Sequence, residues 1–166
     1  MKCFRFGFSV LAILVVAFGA TDANGQRASS NDDFIAFLAE ADAAQIELQN
    51  GKAEKYKSLW SHADNISITG GFGGTIERGW AAVSKRLDWA ATQFSQGKTS
   101  IERLIVYSNG DLAYLVQLEH IKFKVPATGA DASRDFRVTM VFRNEAGKWK
   151  IVHRHADGST SRQPAT

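Results

Sequence analysis

The sequence predicts an α+β fold, with helices packed on one face of a curved antiparallel sheet. Three observations carry this. Apolar residues recur at helical spacing in the first half of the chain. From Thr99 onward the apolar residues alternate as in strands. The strand-like runs are separated by short turns, and helices first with strands after is the order of an α+β domain.

The elements follow in order. Ser30-Asn-Asp-Asp33 has the cap and acidic first turn of a helix start. Phe34, Leu38, Ala41, Gln45 and Leu48 then share a face, with Phe37 and Ala44 beside them, and Asn50-Gly51 stops the helix. A second helix is expected from Lys52 to Trp60, burying Tyr56, Leu59 and Trp60. Ile66 to Thr69 reads as a short strand, and Gly70-Gly-Phe-Gly-Gly74 as a flexible turn that places Phe72. A third helix from Gly79-Trp80 carries Trp80, Val83, Leu87, Ala90 and Phe94 on one face and ends at Gln96-Gly97. Ser100 to Tyr107 and Asp111 to Val125 are strands about the Asn109-Gly110 turn, and Pro126 closes the second. Two further β-rich runs flank Asn144-Glu-Ala-Gly147 as a hairpin. Strict alternation on its second arm would put Trp149, Ile151, His153, His155 and Asp157 on one face, and Lys150, Val152, Arg154 and Ala156 on the other.

The N-terminus reads as a secretory leader over residues 1–25. Lys2 and Arg5 precede the apolar run Phe8–Phe18, and the small residues Gly19, Ala20, Ala23 and Gly25 follow. The expected divisions are a leader 1–25, a flexible polar linker 26–33, one domain 34–157 and a polar tail 158–166. The product would be exported, to periplasm or medium, with no stable membrane anchor once the leader is cut. Cleavage removes Cys3, the single cysteine, which excludes disulfides and thiol chemistry from the remainder. The net charge is +3 and the basic residues are interleaved with acidic ones, so no nucleic-acid partner is expected. Neither G-x-G-x-x-G nor a P-loop is present, and no cofactor is expected.

Several words in order carry a family resemblance: Leu59-Trp-Ser-His-Ala-Asp-Asn-Ile-Ser-Ile68, the Gly-rich turn to Glu77-Arg-Gly-Trp80, Gly110-Asp-Leu-Ala-Tyr114, and Arg137-Val-Thr139 through His153-Arg-His-Ala-Asp157. The chain resembles the NTF2-like superfamily, and within it the SnoaL-like and ketosteroid-isomerase-like group. The resemblance implies a cone-shaped α+β barrel enclosing a pocket, usually in a homodimer. The group's steroid-isomerase pattern is incomplete: its catalytic Asp matches Gly70, and residues 31–50 hold no Tyr to donate to an oxyanion.

The remaining candidates lie on the sheet. Ala113, Leu115, Gln117, Glu119 and Ile121 share one face, and Arg137, Thr139, Val141 and Arg143 another. If the inward faces coincide, His153 and Glu119 form an acid/base pair with Arg137 beside a developing anion. The preferred reading of these groups is a structural polar network, and a β-bulge would flip part of the set. His153-x-His155 could supply two metal ligands, with a third needed from Glu119 or Asp157; no metal site is expected. The expected ligand-binding set is Phe72, Trp60, Trp89, Gln117, Arg137, Thr139 and His155, with His153 and Glu119 as catalytic candidates. The function expected is binding of a small, largely apolar or aromatic molecule. The alternatives are an isomerase, cyclase or dehydratase using His/Glu chemistry, or a homodimeric assembly module with a vestigial pocket.

Overall fold

The structure is a computed structural model that describes residues 23–158, 161 and 162, with side chains from residue 31 onward. The expected leader lies outside the described residues as far as position 22. Three helices precede and flank one sheet: α1 (Ala23–Leu48), α2 (Glu54–Ser58), β1 (Ser67–Thr69), β2 (Glu77–Arg78), α3 (Trp80–Ala91), β3 (Ser95–Asn109), β4 (Leu112–Lys124), β5 (Asp131–Glu145) and β6 (Lys148–Asp157). The sheet order is β2-β1-β6-β5-β4-β3. The fold is α+β as expected, but the sheet is mixed and open: β1 runs parallel to β6, while β2 and β3 form its two edges. No described helix is long and apolar enough to cross a membrane.

Helix α1 starts earlier than the capping signal at Ser30 suggests. Residues 26–33, expected as a flexible linker, are helical and continuous with it. Once a helix has nucleated, each added residue gains a bond at little cost, and Gln, Arg and Ala are good helix formers. The helix ends where Asn50-Gly51 predicts. Gly51 has φ 83°, Lys52 N–H donates to Glu47 C=O and Gly51 N–H to Leu48 C=O, each at 3.0 Å. This is a Schellman stop, and it needs the left-handed residue that glycine supplies.

Helix α3 is shorter than its apolar spacing implies. It ends at Ala91, and Gln96-Gly97 lies within β3 as a bulge between the Ser95–Lys124 and Lys98–Lys122 pairs. Gly97 sits against α1: a Cβ there would lie 2.7 Å from the Gln49 backbone oxygen. Asn50 clasps the same glycine, accepting from its N–H and donating to its C=O, each at 3.2 Å. The β5–β6 hairpin turns on Ala146 and Gly147, both at positive φ (51° and 81°), the geometry of a twist-matched two-residue turn.

The core lies between the helices and the inner sheet face. Phe34, Phe37, Leu38, Ala41, Ala44 and Leu48 of α1 are buried, which is the face that the helical spacing selected. They meet Leu115 of β4, Phe142 of β5, and Trp149 and Ile151 of β6. Phe34 stands edge-on to Phe142 at 5.1 Å between ring centroids.

Candidate functional site: a polar-floored cavity between helices and sheet

A register shift decides which side chains of β6 point inward. Phe142 pairs with Ile151, but the next residue back, Val141, pairs with His153, so Val152 is an extra residue without a partner on β5. Before this bulge Trp149 and Ile151 face the core. After it the phase inverts, and Arg154 and Ala156 face inward while His153 and His155 face outward. The single-face alternation expected for His153, His155 and Asp157 together with Trp149 and Ile151 therefore breaks at Val152.

His153 and Glu119 are consequently on opposite faces of the sheet and do not form the acid/base pair. His153 pairs with Ser67 of β1, its Nδ1 2.9 Å from the Ser67 Oγ. Burial, then the charge of nearby His155, hold the His153 pKa below the ordinary histidine value, and the contact with Ser67 acts weakly the other way. Arg137, Thr139 and His155 also face outward, lining a shallow groove with Asp157, to which Arg137 donates. Among the described residues no group of three or more His, Cys, Asp or Glu side chains is placed to hold a metal.

Glu119 is wholly buried and takes three hydrogen bonds. Gln45 Nε2 and Arg154 Nη2 donate to its Oε2 at 2.8 Å each, and Gln117 Nε2 donates to its Oε1 at 2.7 Å. Arg103 extends the network, donating to Gln117 Oε1 at 2.8 Å and to Asp42 of α1. Two arginines and two carboxylates thus neutralise each other in pairs, as buried charges must. Burial works against the charge on Arg154, but Glu119 and Tyr56 beside it more than offset this and raise its pKa above the usual arginine value. Burial pushes the Tyr56 phenol well above its ordinary pKa, so it remains a proton donor. The Tyr56 hydroxyl lies close enough to Arg154 to affect its titration, yet makes no hydrogen bond of ordinary geometry.

This network forms the floor of a cavity of about 60 Å³ between α1, α2, α3 and the sheet. Its walls include Ile68, Phe72, Leu87, Trp89, Phe94 and Phe136, and its polar lining includes Gln45, Gln49, Tyr56 and Arg154. The volume is small for a ligand site (ordinary ones exceed about 300 Å³) because three rings crowd it: Phe72 lies 5.3 Å from Phe94 and 6.3 Å from Phe136. The Gly70–Gly74 turn lets the backbone come this close, since a Cβ on Gly71 would sit 2.2 Å from the Phe136 ring. At the mouth Arg86 lies over the Trp89 ring at 4.5 Å, and Arg134 over Phe72 at 4.6 Å.

Of the residues singled out in the sequence, Phe72 and Trp89 line this cavity, and Gln117 and Glu119 stand directly behind its floor. Trp60 is packed in the core against Tyr56, outside the cavity lining. The two side chains that give the floor its chemistry, Tyr56 and Arg154, were not among the expected site residues. Tyr56 was legible as a buried position of α2. Arg154 was concealed by the bulge, which shows only in the structure, where the buried residues Ile151 and Ala156 stand an odd number of positions apart.

The chain belongs to the SnoaL-like domain family, whose model matches residues 28–157, and so to the NTF2-like superfamily. No curated protein is significantly similar to it in sequence. Among solved structures it is similar to a candidate dehydratase of the NTF2-like family from Streptomyces avermitilis, with 21% identity, a TM-score of 0.66, and coverage of 78% of this chain and 99% of that one. It is similar also to a candidate scytalone dehydratase from Novosphingobium aromaticivorans (10% identity, TM-score 0.66, 86% and 93% coverage). A ketosteroid isomerase-like protein from Erwinia carotovora atroseptica gives 15% identity, a TM-score of 0.60, and 75% and 97% coverage. At these identities the likeness establishes the fold.

Proposed function

We propose that this SnoaL-like domain is exported and binds a small, largely apolar or aromatic molecule in the cavity between its helices and sheet. The observation that carries the reading is the cavity itself: aromatic walls above a buried floor whose Tyr56 hydroxyl has no ordinary hydrogen-bond partner. Neighbours of this fold named as candidate dehydratases and as a ketosteroid isomerase-like protein support a small-molecule ligand in general. Catalysis by His153 and Glu119 has no geometric support, since the sheet separates them. Native mass spectrometry of protein purified from its own source tests the proposal, and a co-purifying small apolar molecule is the expected result. Protein that carries none, and whose Trp89 emission ignores a panel of aromatic compounds when compared with Trp89→Phe, would count against it. Export predicts a mature chain beginning just after Ala20, Ala23 or Gly25, read by intact mass.

A second proposal concerns the outer sheet face. Ile105, Tyr107, Leu112 and Tyr114 are exposed there, and the two tyrosine rings lie 5.6 Å apart. An apolar patch of this kind supports a homodimer joined through the sheet.

A further inference from the structure

We propose that the molecule taken up by the cavity carries a carboxylate, seated between Arg154 and the Tyr56 hydroxyl, with a flat apolar body among Phe72, Phe94 and Phe136. This rests on the binding reading above and adds the chemistry of the head group. The charged residues in the cavity lining are Arg86 and Arg154, both cations. The acids Asp42 and Glu119 are turned away from it, engaged by Arg103 in the first case and by Gln45, Gln117 and Arg154 in the second.

Arg154 gives Nη2 to Glu119, and a guanidinium has five N–H donors, so it keeps donors beyond that bond. Tyr56, 3% exposed, brings a hydroxyl that is protonated at any physiological pH and lacks an ordinary acceptor. Tyr56 and Arg154 stand side by side on the lining, the phenol oxygen close enough to the guanidinium to accept from it, so the phenol proton and the guanidinium N–H groups not given to Glu119 are the donors left for a ligand. A carboxylate supplies two acceptor oxygens for these donors, and it would share Arg154 with Glu119 behind the floor. At the mouth Arg86 is held by the Gly73 carbonyl at 2.7 Å and by Glu77 at 3.7 Å, which leaves it at the entrance as a cation on the way in. Entry of a ring requires Phe72 to give way, since the cavity is smaller than a benzene-sized body needs.

Calorimetric titration of the purified protein with phenylacetate and with its uncharged analogue phenylacetamide tests this. Phenylacetate is expected to bind about tenfold tighter than the amide, as charge-assisted bonds are roughly twice as strong as neutral ones. Tyr56→Phe, which removes one oxygen and no packing, is expected to weaken phenylacetate about fivefold. Phe72→Ala should tighten both probes by relieving the crowding. Acid and amide binding equally, or an acid-to-amide ratio unchanged in Tyr56→Phe, overturns the carboxylate seat while leaving the apolar pocket standing. Failure of both probes with the wild type and with Phe72→Ala overturns the pocket reading as well.

Discussion

Glu119 and Arg154 are the residues on which the interior depends most. Arg154→Met would leave a carboxylate with no cation in a site wholly cut off from water. The expected loss is about 3–5 kcal/mol, measured by urea denaturation. Adding Glu119→Gln should restore much of it, because the cost lies in the stranded charge; a double variant as unstable as the single would refute this. Tyr56→Phe should do the opposite of a usual core substitution. It removes a buried hydroxyl with no ordinary partner, so stability should hold or rise by up to about 1 kcal/mol. His153 makes a prediction of another kind. Its folded pKa lies below the unfolded value of about 6.5, so between the two the unfolded chain binds more protons. The stability it allows is whole above the unfolded value and is lost as pH falls through that value toward the folded pKa. His153→Gln should flatten this limb in urea midpoints between pH 7.5 and pH 5, both approximate choices bracketing the window. An unchanged slope would assign the limb to other groups.

At the scale of elements, the helices and strands were legible because their periodicity is set by burial on one side. Phe34 through Leu48 occupy the buried face expected of them, and Leu115, Gln117, Glu119 and Ile121 are buried along β4 as alternation predicts. What was not legible were the places where a strand gains a residue. Nothing in Ile151-Val-His153 marks Val152 as unpaired; that is decided by where β5 and β1 dock on either side. The same holds at Gln96-Gly97, where a glycine that resembles a helix stop is in fact the close approach of β3 to α1. Two substitutions separate these roles. Gly97→Ala meets the backbone of Gln49, which no rotamer can move, and should cost about 2 kcal/mol. Gly51→Ala meets nothing but must hold a left-handed φ, and should cost about 1 kcal/mol. Thermal melts ranking Gly51→Ala as the more damaging would contradict this account of the contact.

For the molecule as a whole, one face of the sheet carries the cavity and the other carries an apolar patch, so ligand and partner would never compete for surface. Sedimentation velocity should find the wild type dimeric. Tyr114→Arg, with a cation in the middle of the patch, should be monomeric while still binding whatever the cavity holds. A wild type that stays monomeric at high concentration would remove the dimer proposal. The family could be read from the order of short sequence words spread over the chain, since fold depends on many weak constraints acting together. The site could not, because it depends on the orientation of a few side chains, and orientation is what one unpaired residue reverses.

That unpaired residue, Val152, works as a parity switch in the strand. A relative of the same fold with the same number of residues but no bulge at this point would turn its equivalents of His153 and His155 toward the cavity and its equivalent of Arg154 toward solvent. The same string of letters would then furnish a titratable interior in place of one built on a paired arginine. When SnoaL-like chains are compared by alignment, whether this strand bulges between the buried tryptophan and the histidines should therefore be settled before any role is transferred to them.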